Sequence, residues 1–270
     1  MACSNSTKTR KDKWRVHPVG SGSDLQIHLP LEKFTEPGLY LLFDDGRVLY
    51  LTRSFIDDMR RRYLRNPSLL PPAVRQAPAY APCVVCPERE HAIICHAIPT
   101  VFPFLEDIDC FLSFHTVTAV YRPEPDEMPD GNIHLYVART SVQRALQHVS
   151  ILSLIYYCEV GRAYFKYFAG VIPLMDPRAI MERVYLNLYW DLRGDVVAIK
   201  ALVTKMRREL EITVHCQIER LRLFCKNDGF VNAFVLTHAG LQFLEEDMEQ
   251  ILRDRLDGRH APAVALDPED

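Results

Sequence analysis

Hydrophobic residues change their spacing near the middle of the chain. Between Leu25 and about Val137 they come in short runs separated by turn formers, the pattern of β-strands. The clearest pair is Gly38–Phe43 and Arg47–Thr52, two β-prone runs joined by Asp44-Asp45-Gly46, where an Asp-Gly pair tolerates positive φ; a β-hairpin is predicted. A short basic helix is predicted over Ser54–Leu64, followed by an extended linker over Asn66–Pro82, which holds five prolines. Further strands are predicted at Ala81–Val85, Phe114–Arg122 and Asn132–Ala138. Within Thr100–Leu112, Pro103 confines helix to the later part.

After Thr140 the period becomes that of a helix, about 3.6 residues. Thr140 or Ser141 caps the first helix, which is apolar almost all round from Val149 to Val160 and is therefore predicted to be buried and central, ending near Gly170. Asp176 as N-cap, Pro177 at the first helical position and Gly194 at the end predict a second helix over 177–193. A third is predicted over Asp195–Lys226, with Ile199, Val203, Met206, Leu210, Val214 and Ile218 on one stripe, and a fourth over Phe230–Leu256. The expected fold class is α+β, a small antiparallel sheet with a Cys-rich knuckle followed by an α-helical bundle. The organisation is a flexible basic tail (1–22), a β-rich region (23–138), the bundle (139–258) and a second tail (259–270).

Charge narrows the partners. The 32 Lys+Arg against 35 Asp+Glu leave a net charge of −3 with His neutral, which argues against a globally basic nucleic-acid binder. The first sixteen residues are basic without an apolar run, so a secretory signal is not expected; the longest uncharged apolar run, within His148–Cys158, is about half of the ~20 residues a membrane helix needs. A cytoplasmic location is expected, with the eight cysteines as free thiols or ligands rather than disulfides.

The chemically pointed segment is Cys83-Val-Val-Cys86-Pro87-Glu-Arg-Glu-His91-Ala-Ile-Ile-Cys95-His96. A C-x2-C turn brings two thiolates to one ion at about 2.3 Å, and a third Cys nine residues on completes three corners of a zinc tetrahedron. His96, His91 and Cys110 are local candidates for the fourth corner, and Cys158 is a distant one. The set expected is Cys83, Cys86, Cys95 and His96, holding Zn. The spacing does not match the C-x2-C-x2-C of bacterial ferredoxins. Two other readings compete: Cys83 and Cys86 as a reversible redox pair, or all three as small apolar residues packed in a core. Cys216 and Cys225, nine positions apart, fall on opposite faces of a continuous helix.

Gly38-Leu39-Tyr40, then Leu49-Tyr50-Leu51, Arg60, and Glu90 with Pro99 nine residues later resemble the pattern of GIY-YIG endonucleases over residues 38 to 105. The resemblance implies that Tyr40, Tyr50 and Arg60 assist attack on a phosphodiester and that Glu90 binds a divalent metal that stabilises charge on the phosphate. Thr52 stands where that family has Gly, and Phe102 near the place of its Asn.

Over a longer span, about Tyr40 to Leu256, the chain resembles an uncharacterised bacterial family, a domain of unknown function. The resemblance is carried by Asp45-Gly46, Cys83 with Cys86-Pro87, Cys95, Gln143–Leu146, Arg183–Tyr189 and Asp228–Phe234. It implies an architecture and a metal knuckle, and no activity. Nucleophile-elbow serines, phosphate-binding Gly loops and H-E-x-x-H segments are absent from the sequence. The sequence therefore points to a non-enzymatic interaction or regulatory module with a protein partner, with a metal-dependent endonuclease and a thiol redox protein as alternatives.

Overall fold

The hairpin forms as its turn chemistry dictates. In the computed structural model, which describes residues 14–19, 31–89, 94–108, 111–124, 132–245 and 248–256, β2 (Gly38–Leu42) pairs antiparallel with β3 (Val48–Thr52), and Tyr40 lies opposite Tyr50. Phe43 N–H donates to the Arg47 carbonyl at 2.9 Å, and Gly46 takes the positive φ of 85° that closes the loop. On its other side β2 pairs antiparallel with β4 (Thr116–Arg122), and β4 with β5 (Ile133–Ser141). β1 (Trp14–Pro18) then adds parallel to β5, so the order is β1-β5-β4-β2-β3 and the sheet is mixed rather than wholly antiparallel. This corrects the tail expected over 1–22: residues 14–18 are a strand because Trp14 packs on a small apolar cluster with Phe34, Tyr40, Leu135 and Val137. Alternation along the strands sends Tyr40 and Val120 to that face and Leu39, Leu41, Val117 and Ala119 to the main core.

The proline-rich stretch after the hairpin is helical. α1 (Arg53–Arg65) starts at Thr52, whose Oγ1 accepts the Phe55 N–H at 3.4 Å. Instead of the extended linker expected over Asn66–Pro82, a 3-10 turn (Pro67–Leu69) leads into α2 (Pro72–Tyr80). Pro71 and Pro72 fall at the helix start, where a missing N–H costs no bond, and Val74 and Ala77 bury against Tyr63, Leu70, Ile94 and Ile98. The strand expected at Ala81–Val85 is a turn, closed by Cys86 N–H on the Cys83 carbonyl at 3.0 Å. Two 3-10 turns (Ile98–Thr100, Phe102–Phe104) precede the short α3 (Leu105–Ile108).

In the helical half α4 (Val142–Leu152) is capped by Ser141, whose Oγ accepts from Arg144 N–H at 3.4 Å. The predicted long central helix does not continue. It widens to a π-turn over Ser153–Tyr157, breaks at Cys158 with extended backbone (φ −77°, ψ 133°), and resumes as a 3-10 helix over Gly161–Phe168. The return is so tight that a Cβ at Gly161 would sit 1.8 Å from the Leu154 carbonyl oxygen. α5 (Pro177–Asp191) and α6 (Val196–Leu221) start at Asp176 and Asp195, each accepting a backbone N–H at 3.0 Å. The predicted fourth helix is two, α7 (Gly229–Gln242) and α8 (Met248–Leu256), parted by a 3-10 turn whose Leu244 carbonyl accepts the Tyr185 hydroxyl at 2.5 Å. One core runs without interruption from Leu39 and Val117 of the sheet to Leu146, Leu210 and Phe234 of the helices. Among the described residues no helix is long and apolar enough to cross a membrane.

Candidate metal centre

Four segments meet where α2 ends against α6. Arg220 Nε donates to the Ala81 carbonyl at 2.9 Å, which anchors the end of α2, and the chain then turns through Cys83 to Cys86. The break at Cys158 brings the end of the central helix to the same place, where Cys158 packs with Ala97, Val160, Val85, Cys86 and Cys95. The wall opposite is one face of α6: Thr213, Cys216, Gln217 and Arg220 stand at i, i+3, i+4 and i+7. Together they enclose a pocket of about 60 Å³, lined by Cys83, Cys86, Cys95, Cys158, Gln217 and Arg220, with Glu88, His96 and Glu159 at its edge.

The sulfurs are held by directed contacts. Cys83 Sγ lies 3.7 Å from Thr213 Oγ1, whose own proton goes to the Glu209 carbonyl at 2.8 Å. Cys216 Sγ lies 3.6 Å from the Pro82 carbonyl, and Gln217 Nε2 donates to Cys95 Sγ at 3.2 Å. The neighbouring Cys216 sulfur, the Val85 amide and the positive Arg220 outweigh burial and hold the Cys83 thiol below its ordinary range; the same pairing raises Cys216. Burial pushes Cys86 up and Cys158 up to about 12. All six described cysteines are free thiols.

Arg220 is 4% exposed. Among the described residues it has no carboxylate partner, and its guanidinium faces the thiols. A buried cation is costly unless an opposite charge compensates it, and neutral thiols carry none.

His96, expected as a ligand, lines the pocket and is oriented from behind: its Nδ1–H donates to Glu159 Oε1 at 2.7 Å, the arrangement that fixes a ligating imidazole, while Nε2 lies 3.9 Å from Glu88 Oε2. Burial would raise the Glu159 carboxyl, but His96 and Arg162 outweigh it and hold it below the usual range. Among the described residues, three potential ligand atoms come within 4.8 Å of one another at Glu88, His96 and Glu159, and no three of the sulfurs do. His91 and Cys110, named as alternative fourth ligands, lie outside the described residues, as does Glu90.

Of the nuclease-like pattern the two tyrosines meet, Arg60 does not join them, and Glu90 lies outside the described residues. Tyr40 is 1% exposed, and its hydroxyl is spent on the Glu36 carbonyl (2.5 Å) and amide (3.1 Å). Tyr50, 45% exposed, stacks edge-on against it in a cleft shared with Ser54, Phe55 and Asp58. Arg60 leaves α1 about 200° around from Asp58. It donates to the His96 carbonyl at 3.3 Å and lies over Tyr157, so it braces the cysteine pocket instead. Asn187, Asp228 and Asn232 are structural: Asn187 donates to the Tyr167 and Ala169 carbonyls, and Asp228 accepts from Ser113 and Asn232.

Cys216, Gln217 and Arg220 are the site residues that sequence reasoning missed. Their helical spacing was a legible signal, masked by pairing Cys216 with Cys225, which lies beyond the end of α6. No protein-family model, curated protein or solved structure matches the chain.

Proposed function

We propose that this protein is a non-enzymatic interaction or regulatory module organised around a metal held by cysteine thiolates. Cys83, Cys86 and Cys95 supply three ligands, and the fourth comes from His96 or Cys158. One observation carries the reading: cysteines from sequence-distant segments converge on a buried Arg220 that has no carboxylate partner among the described residues. Deprotonated thiolates on a metal supply the negative charge that this cation lacks. Zinc, the metal the Cys/His donor set was expected to hold, would draw the sulfurs inward to about 3.8 Å from one another, as tetrahedral bonds of about 2.3 Å require. In this reading the metal ties the 83–95 segment to α6 and shapes the surface a cytoplasmic protein partner would meet.

The test is elemental analysis of untagged full-length protein beside its Cys86→Ser variant. Bound metal near one equivalent or above, lost in the variant together with a lower melting temperature, is the expected result. Equal metal content and equal stability in the two proteins would remove the reading.

A further inference from the structure

The metal reading leaves the nature of the group open, and the spacing of the sulfurs bears on it. Four thiols line one pocket, Cys83, Cys86, Cys95 and Cys158, yet among the described residues no three sulfurs lie within 4.8 Å of one another. A single zinc needs its thiolates about 3.8 Å apart. A cluster spreads its four thiolates over two or four irons, so the full set stands farther apart than on one ion, around a volume that is itself occupied. Resting on the metal-centre reading above, we infer that this pocket is built for an iron–sulfur cluster held by Cys83, Cys86, Cys95 and Cys158.

The rest of the pocket suits that cargo. Cluster potentials respond to hydrogen bonds on the sulfurs, and Gln217 Nε2 already donates to Cys95 Sγ at 3.2 Å. Arg220 offsets the negative charge of a cluster with four thiolates. Cys216 does not line the pocket, and its S–H donates to the Pro82 carbonyl at 3.6 Å, so it is not a ligand. The cysteines carrying the cluster come from the C-x2-C turn, from the segment before the 3-10 turn at Ile98, and from the helix break at 158. That spread explains why a linear ferredoxin motif is absent. Uptake of a preformed cluster is ligand exchange: four iron–thiolate bonds form, the carrier's ligands leave, and four thiol protons are released, with no change of oxidation state.

The full chain is isolated anaerobically without added metal, then reconstituted with a preformed cluster donated by a thiol carrier. Iron and acid-labile sulfide in equal amounts, about two to four of each per chain, with broad visible absorbance bleached by dithionite, are expected. Cys158→Ser should lose more than half of both, whereas His96→Ala and Cys216→Ser should keep them. Gln217→Leu should keep the iron and titrate at a lower reduction potential, a readout that stands even if Cys158→Ser does not fold. About one zinc per chain without labile sulfide, before and after reconstitution, would overturn the cluster and leave the metal-centre reading intact. Absence of both iron and zinc would overturn both.

Discussion

Arg220 and His148 show opposite ways in which burial treats a titratable side chain. The guanidinium of Arg220 is a buried cation whose charge the pocket must balance. Arg220→Leu removes the cation and its bond to the Ala81 carbonyl. The metal-free protein should lose no more than about 1 kcal/mol, whereas retention against a chelator should weaken roughly tenfold or more. Chelator titration beside urea denaturation checks this, and unchanged retention would show that the charge has no part in binding. The imidazole of His148 answers burial by giving up its proton: desolvation between Tyr121, Ile151 and Leu152 pulls it down to about 3. The unfolded chain takes up a proton near pH 6.5 that the folded chain refuses until about pH 3, so stability falls with pH across that window. The slope is at most about 1.4 kcal/mol per pH unit. Urea midpoints at pH 7 and pH 5 should differ less in His148→Phe than in the wild type.

At the scale of elements, the most consequential feature is the break after the π-turn. The 3-10 helix over Gly161–Phe168 folds back on Leu154 so closely that any side chain at 161 meets a backbone oxygen, which cannot move aside as a flexible side chain would. Gly161→Ala should cost about 3 kcal/mol and displace Cys158, lowering metal content along with the melting temperature. An unchanged melting temperature in that variant would mean that the turn is looser than described. By contrast, Asp176→Ala removes only the side-chain acceptor for Ala179 N–H and should cost about 1 kcal/mol without touching metal content. These two elements also show what the sequence could and could not tell. Caps are local chemistry, so Asp176, the Asp44–Gly46 hairpin and, to within the pair Thr140 and Ser141, the cap of α4 were readable directly. The break at Cys158 was not, because residues 149–160 are apolar on every side and such a run carries no sign of where its helix stops. Proline misled at 66–82, where three of the five sit at or before helix starts and burial of Val74 and Ala77 decides the conformation.

For the whole molecule, the sheet and the helices share one core, and the cysteine pocket proposed to hold a metal lies between the turn after α2, the break at Cys158 and α6. Removing the metal should therefore lower the melting temperature of the entire chain in a single transition. A ligand present at about a hundredfold above its Kd contributes roughly 2.7 kcal/mol, or about 5–10 °C for a chain of this size. Calorimetry with and without chelator tests this, and two separate transitions would mean that the halves unfold independently. Strand pairing between distant segments was the least legible part of the fold. Nothing local to Trp14–Pro18 announces a parallel partner at Ile133–Val137, and the register exists only once Phe34 and Leu135 are in place.

The reach of the pocket along the chain has a consequence for biogenesis. Cys83 and its neighbour Thr213 are separated by 130 positions. A ribosome adding about 5–20 residues per second takes on the order of ten seconds to make that stretch. Throughout that interval the first thiols are outside the exit tunnel, reduced and unshielded, while the helix that will enclose them does not yet exist. In the metal reading proposed above, loading is a late, post-translational event, and overproduction in a metal-poor or oxidising host should yield chains whose early cysteines have been captured by other reactions before α6 arrives to close over them.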